Sequence, residues 1–192
     1  MNMKEERLVI EAQQGSEAAV ELLIRLTYDD IYRFIRWKVH DAELAWDLAQ
    51  QTYEKAWKKL NAYQSEQGRF RAWLLAIAHH VCIDHARSKS ARQAGLHDHL
   101  SDEVPNKDDF LEGVLMREEL KEVYAAIRGL PDNQRDALLL RYKHDLSFGE
   151  MAAVTGESES TVKSRVRRSL IRLRDMLMPS AEARLYKKGE KQ

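Results

Sequence analysis

The amino-acid sequence predicts an all-α fold: two small helical domains joined by an acidic flexible linker, the second domain containing a helix-turn-helix. The 192 residues include only three prolines and eight glycines, and no segment alternates apolar and polar residues as a half-buried strand would. Long segments instead repeat apolar residues at the helical period. Residues 91–115 lose that period and carry six acidic against two basic groups. We therefore expect domains at 1–90 and 116–178, the linker between them, and a polar tail at 179–192.

Overall composition excludes several classes of protein. Lys plus Arg equals Asp plus Glu, at 31 each, so total charge gives no indication of nucleic-acid binding. The single cysteine, Cys82, excludes an intramolecular disulfide and a cysteine-based zinc site. No apolar run approaches the roughly 18 residues of a membrane span, and the charged start is unlike a signal peptide. These features predict a cytoplasmic protein without membrane insertion.

Four helices are predicted in the first domain from capping signals and apolar period. Gly15 and Asp41 mark two of the boundaries. The predicted helices cover residues 4–14, 17–40, 41–62 and 69–90. The apolar positions expected to face the core of the second helix are Ala19, Leu22, Leu23, Leu26, Ile31, Phe34 and Ile35. Those expected in the third are Trp46, Ala49, Tyr53, Ala56, Trp57 and Leu60.

The third helix has a second apolar side. Leu44 and Leu48 lie opposite the core stripe, beside Asp47, Gln51 and Lys55. A small apolar patch rimmed by polar groups suggests a protein contact. A helix packed on both sides would produce the same pattern, and periodicity does not separate the two interpretations.

The fourth helix combines aromatic and basic side chains. Proteins that hold single-stranded DNA use positive groups together with flat side chains on which bases stack. The same residues would otherwise be core and surface positions of an ordinary helix. The candidates are Phe70, Arg71, Trp73, His79, His80 and Arg87.

A metal site is the competing interpretation of this helix. His80 and Asp84 are four residues apart, within a His79–His85 cluster that would suit a helical metal enzyme. Asp84, however, falls on the predicted core stripe, where it can cap or pair structurally. We therefore predict no metal site. The sequence contains no Gly-rich phosphate loop and no nucleotide-binding fingerprint, so we also predict no cofactor.

The second domain ends in two helices around a short turn. Ser147 and Glu150 have the spacing of a capping box, which starts the first of these helices. Gly156 can adopt the positive φ that a turn requires. Ser158 or Ser160 can cap the second helix. Upstream, helical pattern covers residues 116–128, and Pro131 precedes a helix at 132–142.

The second of these helices is amphipathic and basic. At about 100° per residue, the apolar side chains fall within a stripe of roughly 80°; they are Val162, Val166, Leu170, Leu173 and Leu177. The remaining arc carries Thr161, Lys163, Ser164, Arg165, Arg167, Arg168, Arg172 and Arg174, with no acid between Ser160 and Arg174. A solvated basic face would look similar, but the short preceding helix and glycine turn favour DNA binding.

Three matches in order resemble the sigma-70 family of RNA polymerase factors, in its extracytoplasmic function subfamily. The first is DLAQQTYEKAW (Asp47–Trp57), similar to the family's D-L-x-Q-E helix. The second is FRAWLLAIAHHVCIDHAR (Phe70–Arg87), similar to F-x-x-W-L-x-x-I-A-x-N-x-x-x-D-x-x-R. The third is Leu130–Arg174, which contains L-P and T-V-K-S-R and covers the helix-turn-helix.

This resemblance implies a non-enzymatic subunit that binds core RNA polymerase and promoter DNA. The first domain would hold the −10 strand, as single-stranded DNA, through the candidates of the fourth helix. The second would recognise the −35 duplex through Ser160, Thr161, Lys163, Ser164, Arg165, Arg167 and Arg168. Polymerase contact would involve Leu44, Asp47, Leu48, Gln50, Gln51 and Lys55.

An anti-sigma factor is the further partner that the resemblance implies. A stand-alone helix-turn-helix regulator, with residues 1–90 sensing a ligand or dimerising, is the alternative.

Three single residues and one short segment depart from the family pattern. Gln51 replaces the usual Glu of the polymerase-contact helix, and His80 replaces the Asn found near the captured −10 base. Gly149 and the Ser158–Ser160 segment also differ from the commoner residues. We therefore expect the base preferences of this chain at the −10 and −35 elements to differ from those common in the family.

Overall fold

The computed structural model describes residues 3–94 and 118–178, so most of the predicted linker and the whole predicted tail lie outside the described residues. Within these ranges the secondary structure is entirely helical, which confirms the all-α prediction. The α-helices are α1 (Met3–Gln13), α2 (Glu17–Val39), α3 (Ala42–Lys59), α4 (Phe70–Ala94), α5 (Glu118–Arg128), α6 (Asp132–Leu138), α7 (Phe148–Thr155) and α8 (Glu159–Leu177).

Local capping chemistry sets the boundaries of the first helices. Gly15 has φ 92° and ends α1, and the Ser16 hydroxyl accepts a hydrogen bond from the Ala19 amide at 3.3 Å. His40 ends α2 in the left-handed region, at φ 56°. Asp41 accepts from the Leu44 amide at 3.0 Å and caps α3. These are the signals that the sequence offers, and the boundaries follow them closely because the capping groups are adjacent in the chain.

The described residues form two compact units, 3–94 with 149–156 and 118–148 with 157–178. In the first unit α2 packs on α1, α3 and α4. Its interior is apolar and includes Leu23, Ile31, Phe34, Ile35, Leu74, Leu75 and Val81, each at most 2% exposed. The predicted domain boundaries stay predictions.

Polar contacts fix the packing of the first unit. The Thr27 hydroxyl lies 2.9 Å from the Tyr53 hydroxyl, which joins α2 to α3 inside the core. Arg71 of α4 donates to Glu5 of α1 at 3.1 Å and to Asp30 of α2. These bonds join segments distant in sequence, so each restrains the geometry of the bundle.

The buried face of α3 differs from the predicted one. Trp46 is 50% exposed, although the periodicity placed it in the core. Leu48 is 1% exposed, which agrees with the interpretation of a helix packed on both sides and not with an accessible contact at this position. The buried arc is centred on Ala45, Ala49, Thr52 and Ala56, all at 0% exposure. Small side chains let neighbouring helices approach closely, which leaves the large indole at the rim.

Three further positions predicted in the core are exposed. Leu22 and Leu26 of α2 are 46% and 40% exposed, on the solvent-facing side of the helix with Glu21 and Arg25. Asp84 of α4 is also exposed, and its carboxylate lies 3.4 Å from the Lys55 ammonium. Asp84 of α4 therefore pairs with Lys55 of α3 at the exposed edge of the contact between the two helices.

In the second unit α8 packs on α5 and α6. The predicted helix at 132–142 begins as α6 and continues as a π-helical turn, Leu139–Lys143. Leu170 of α8 is 41% exposed, contrary to prediction, whereas Ser169 is completely buried. The Ser169 hydroxyl donates to the carbonyls of Arg165, at 2.8 Å, and Gln134, at 3.1 Å. This small residue lets α6 approach α8 closely and shifts the buried stripe away from Leu170.

Among the described residues, none of the helices is long and apolar enough to cross a membrane.

Candidate nucleic-acid and protein interfaces

A short helix, a turn and a basic helix follow one another in α7, Gly156 and α8. Gly156 has φ 70°, which suits glycine in the turn. The Ser158 hydroxyl accepts from the Thr161 amide at 3.2 Å and caps α8. It also lies 2.9 Å from the Ser160 hydroxyl and 2.8 Å from that of Thr161. The hydroxyls predicted to contact the −35 duplex therefore belong to a capping network that fixes the start of α8.

The outward face of α8 carries the predicted cations. Ser164, Arg167 and Arg168 are exposed, and so is Lys163. The Arg168 Nε makes a long 3.4 Å hydrogen bond to the Ser164 carbonyl. No acidic side chain of the described residues pairs with either Arg167 or Arg168. This face can present positive charge to a phosphate backbone.

Lys163 lies at one edge of that face and is held by neighbours. Its ammonium is 2.6 Å from Glu159 and 5.6 Å from the centre of the Phe148 ring. The Arg141 guanidinium lies 5.1 Å from the same ring. A cation near an aromatic face is attracted by the ring quadrupole, so Phe148 positions two cations of the second unit.

Arg165 lies at the opposite edge and is the most shielded of the predicted −35 cations. Its side chain is 17% exposed and its Nη2 is 2.5 Å from a carboxylate oxygen of Glu157, in the turn before α8. The prediction of an outward-facing basic arc did not anticipate this acid. The ion pair fixes the direction of the Arg165 side chain.

The six residues predicted to hold the −10 strand separate into two groups. Phe70 and His79 are 3% and 8% exposed, and the rings of His79 and Phe34 are 6.5 Å apart. Arg71 donates to two acids and to the Leu26 carbonyl. The structure thus gives these three residues contacts within the helical bundle.

The other three −10 candidates have accessible side chains. Trp73 is half-buried, and its ring centre lies 5.4 Å from that of Tyr63. His80 and Arg87 are exposed on α4. The His80 Nδ1 lies 2.7 Å from the Ala76 carbonyl, to which it donates because a carbonyl can only accept.

The predicted polymerase-contact residues lie mainly on the outer face of α3. Asp47, Gln50 and Gln51 are exposed there. Leu44 is half-buried, and Lys55 is exposed but directed toward Asp84. Leu48 is in the core, so it supports the helix from inside and is not accessible to a partner in this conformation.

Trp46 is a surface residue that sequence reasoning missed. It precedes Asp47 and lies one turn before Gln50 on the exposed side of α3. Exposed tryptophans are rare on ordinary surfaces and frequent at energetically important interface positions. The sequence did contain an indication of this exposure, because Trp46 lies one helical turn before Gln50, a residue of the predicted polymerase contact. The prediction gave more weight to the apolar stripe.

No group of three or more His, Cys, Asp or Glu side chains suited to a metal ion occurs in residues 3–94 and 118–178. Within that part of the chain, His79 is buried against Phe34, His80 is exposed and Asp84 pairs with Lys55. These three members of the His79–His85 cluster therefore have different surroundings.

Family models match both parts of the chain. The model described as Sigma-70 region 2 matches residues 23–92, and the one described as Sigma-70, region 4 matches residues 120–173. The first match covers α3, nearly all of α4 and the part of α2 from residue 23 onward, and the second covers most of α5 through α8. A region 2 match in residues 23–92 disfavours the alternative of a regulator with an N-terminal sensing domain.

Similar proteins include two sigma factors and one solved structure. The ECF RNA polymerase sigma factor SigC of Mycobacterium tuberculosis is 35% identical over 175 residues, which cover 91% of this chain and 90% of that protein. SigX of Bacillus subtilis, also an ECF sigma factor, is 33% identical, over 82% and 83%. The sigma factor RpoE of Bartonella quintana, solved with the anti-sigma factor NepR, shares the fold at TM-score 0.67 and 23% identity, over 83% and 97%. The chain belongs to the sigma-70 family of RNA polymerase sigma factors, in the extracytoplasmic function subfamily, whose members are non-enzymatic transcription initiation factors.

Proposed function

We propose that this chain binds core RNA polymerase and directs it to promoters by recognising a −35 duplex with α8 and a −10 strand with α4. The single observation that carries the proposal is the exposed cationic face of α8, which lies within the region 4 match. The polymerase supplies the catalysis, and the chain supplies the choice of site.

The residues of the −35 surface fall into those that offer an unpaired charge and those that are held in one orientation by acids of the chain. Arg167 and Arg168 are exposed and have no acidic partner among the described residues, so they suit phosphate contacts. Ser164 is exposed between the two edges of the helix and is small enough for close approach to a groove. Lys163 and Arg165, at the edges, keep partners in the protein while they face the duplex.

The −10 surface is smaller than the sequence indicates. Trp73, His80 and Arg87 are the members of the predicted set that are at least partly exposed and make no ion pair with an acid among the described residues. Arg71 is 40% exposed but is engaged by Glu5 and Asp30. The half-buried Trp73 indole suits stacking with a base, and the His80 imidazole suits a hydrogen bond to a base edge. The Arg87 guanidinium suits contact with a phosphate. Phe70, Arg71 and His79 support α4 through the contacts described above.

The polymerase surface is the outer face of α3, formed by Trp46, Asp47, Gln50 and Gln51. The indole provides apolar area at the centre, and the polar side chains provide the rim. Gln51 contributes a neutral amide where the family pattern has a carboxylate.

Two further properties belong to the proposal. The Bartonella quintana sigma factor was solved with an anti-sigma factor, and we infer that an anti-sigma protein restrains this chain as well. We also infer a cytoplasmic location, because the polymerase and the promoter DNA are there.

Run-off transcription tests the function. The purified chain is added to core polymerase with genomic fragments, and start sites are mapped. Initiation at discrete promoters that depends on the chain is the expected result. If the chain binds duplex DNA but never changes where polymerase initiates, the proposal is wrong and a stand-alone regulator replaces it.

A further inference from the structure

The turn before α8 contains an acid that the proposed −35 surface does not use directly. Glu157 lies next to Gly156, and its Oε1 is 2.5 Å from Nη2 of Arg165, which is nearly two helical turns into α8. The two side chains are only 31% and 17% exposed. The pair therefore connects the turn to the middle of the recognition helix.

This pair differs from the other ion pairs of α8. Lys163–Glu159 and Arg174–Asp175 have side chains that are 51–64% exposed. Exposed pairs form and break freely because water competes for both charges. Greater shielding keeps the Arg165 guanidinium in one orientation more of the time.

The guanidinium retains unused donors. Arg has five N–H donors in a planar fork, and within the described residues Glu157 receives the only hydrogen bond from the Arg165 side chain. The second carboxylate oxygen of Glu157 is buried and has no hydrogen-bond partner in that part of the chain. The acid is thus directed into the protein, and the arginine is the member of the pair that can reach a ligand.

Phosphate is the less suitable ligand for this arginine. Glu157 neutralises the charge of Arg165 locally, so contact with a phosphate would release little counterion. Arg167 and Arg168 of the same helix are more exposed than Arg165, and no acid of the described residues pairs with them. Guanine instead offers O6 and N7 to a planar fork, and this contact depends on the orientation of the fork more than on its net charge.

We propose that Glu157 is a specificity-determining residue that orients Arg165 so that the free edge of its guanidinium contacts a guanine of the −35 duplex. This inference rests on the proposed function of the chain. Glu157 acts through Arg165 and is a positioning residue. The preference for guanine at one −35 position would then depend on Glu157, an acid that does not contact the DNA.

The test compares base preferences of reconstituted holoenzymes. The full chain, wild type or Glu157→Gln, is combined with core polymerase and presented with a promoter library in which every −35 position is varied. With the amide variant we expect the preference for guanine at one position to fall about tenfold, in line with the discrimination that one bidentate contact provides. Preferences at the other positions should stay as in the wild type.

Two variants serve as controls. Arg165→Lys keeps the charge but removes the fork, so it should lose the same guanine preference, and combining it with Glu157→Gln should cause no further loss. Asp175→Asn removes a carboxylate from α8 at a distance and should keep the wild-type preferences. Thermal melting of each variant reports whether its fold is intact.

The outcomes separate the inference from the function on which it rests. If wild-type holoenzyme selects no promoter, the proposed function fails. If it selects promoters but Glu157→Gln keeps every base preference, or weakens all positions equally, the inference alone is overturned. A wild-type −35 preference that contains no guanine would also overturn it.

Discussion

At the scale of single residues, Arg167 and Lys163 carry the same charge but have different surroundings. Arg167 has no acidic partner in the described residues, whereas the Lys163 ammonium is 2.6 Å from Glu159. Arg167→Ala should therefore lower the dependence of −35 duplex binding on salt by about 0.9 in the logarithmic slope, the value for one phosphate contact. Lys163→Ala should lower it less, because Glu159 already neutralises part of that charge.

Titration of holoenzyme binding against salt measures both slopes. Arg25→Ala is the matched control, since Arg25 is an exposed cation of α2 paired with Glu21 and lies outside the proposed DNA surface. An unchanged slope for Arg167→Ala would remove this residue from the phosphate contacts.

Tyr53 provides a second prediction at this scale. Burial in the core raises the pKa of its phenol to about 12, although a hydrogen bond from Thr27 opposes the shift. The unfolded chain releases this proton near pH 10 while the folded protein still holds it. The free energy of unfolding should therefore fall as pH rises from about 10 to about 12, by about 2 kcal/mol for this group.

Denaturant unfolding at pH 9 and pH 11.5 measures that loss for wild type and Tyr53→Phe. The variant loses the 2.9 Å contact with Thr27 and should be about 1 kcal/mol less stable at neutral pH. The decrease in its free energy of unfolding between pH 9 and pH 11.5 should nevertheless be smaller than that of the wild type. An equal loss in both proteins would exclude Tyr53 as its source, leaving groups such as Tyr63, whose pKa burial also raises to about 12.

At the scale of helices, capping residues were predictable and buried faces were only partly so. Ser16 and Asp41 accept hydrogen bonds from amides three residues later, and Gly15 adopts the positive φ that ends α1. The sequence near each boundary therefore contains the whole signal. The buried face of α3 depends on how α2 and α4 pack against its small residues, and a single helix carries no information about that. The same limit applies to the Glu157–Arg165 pair, which forms across a turn.

Family motifs predicted more of the candidate site than periodicity did. They placed Asp47, Gln50 and Gln51 on one face of α3, and the structure leaves all three exposed. They could not separate the accessible Trp73 and His80 from the buried Phe70, because a motif records residue types without their exposure.

The exposed face of α3 gives a prediction about the whole element. Trp46→Ala should weaken binding to core polymerase by at least tenfold, because a half-exposed indole at the centre of an interface typically contributes 2 kcal/mol or more, by order of magnitude. Its effect on stability should be small, since the side chain is already 50% exposed.

Leu22→Ala is the matched control for that measurement. Leu22 is a 46% exposed apolar side chain on α2, outside the proposed polymerase surface. Fluorescence titration of labelled chain with core polymerase gives both affinities. Equal affinities for Trp46→Ala and wild type would show that the indole lies outside the interface.

At the scale of the whole molecule, the proposed polymerase surface and the proposed −35 surface lie in different compact units. α3 lies in the first unit and α8 in the second. A substitution on the surface of one unit should therefore leave the binding activity of the other intact. This separation means that the loss of one activity alone assigns the effect of a substitution to one of the two units.

Asp47→Arg is the variant that tests this separation. Reversing an exposed charge at the proposed polymerase surface places a cation where the partner is expected to be complementary to an anion, and like charges across an interface cost several kcal/mol. Binding to core polymerase should be abolished, while binding of the full chain to an isolated −35 duplex should match the wild type. Glu43→Arg, an equal change on the first turn of α3, should weaken polymerase binding less, because it lies further from Gln50 and Gln51. Loss of both activities in Asp47→Arg would indicate misfolding, and retention of both would place the polymerase interface elsewhere on the chain.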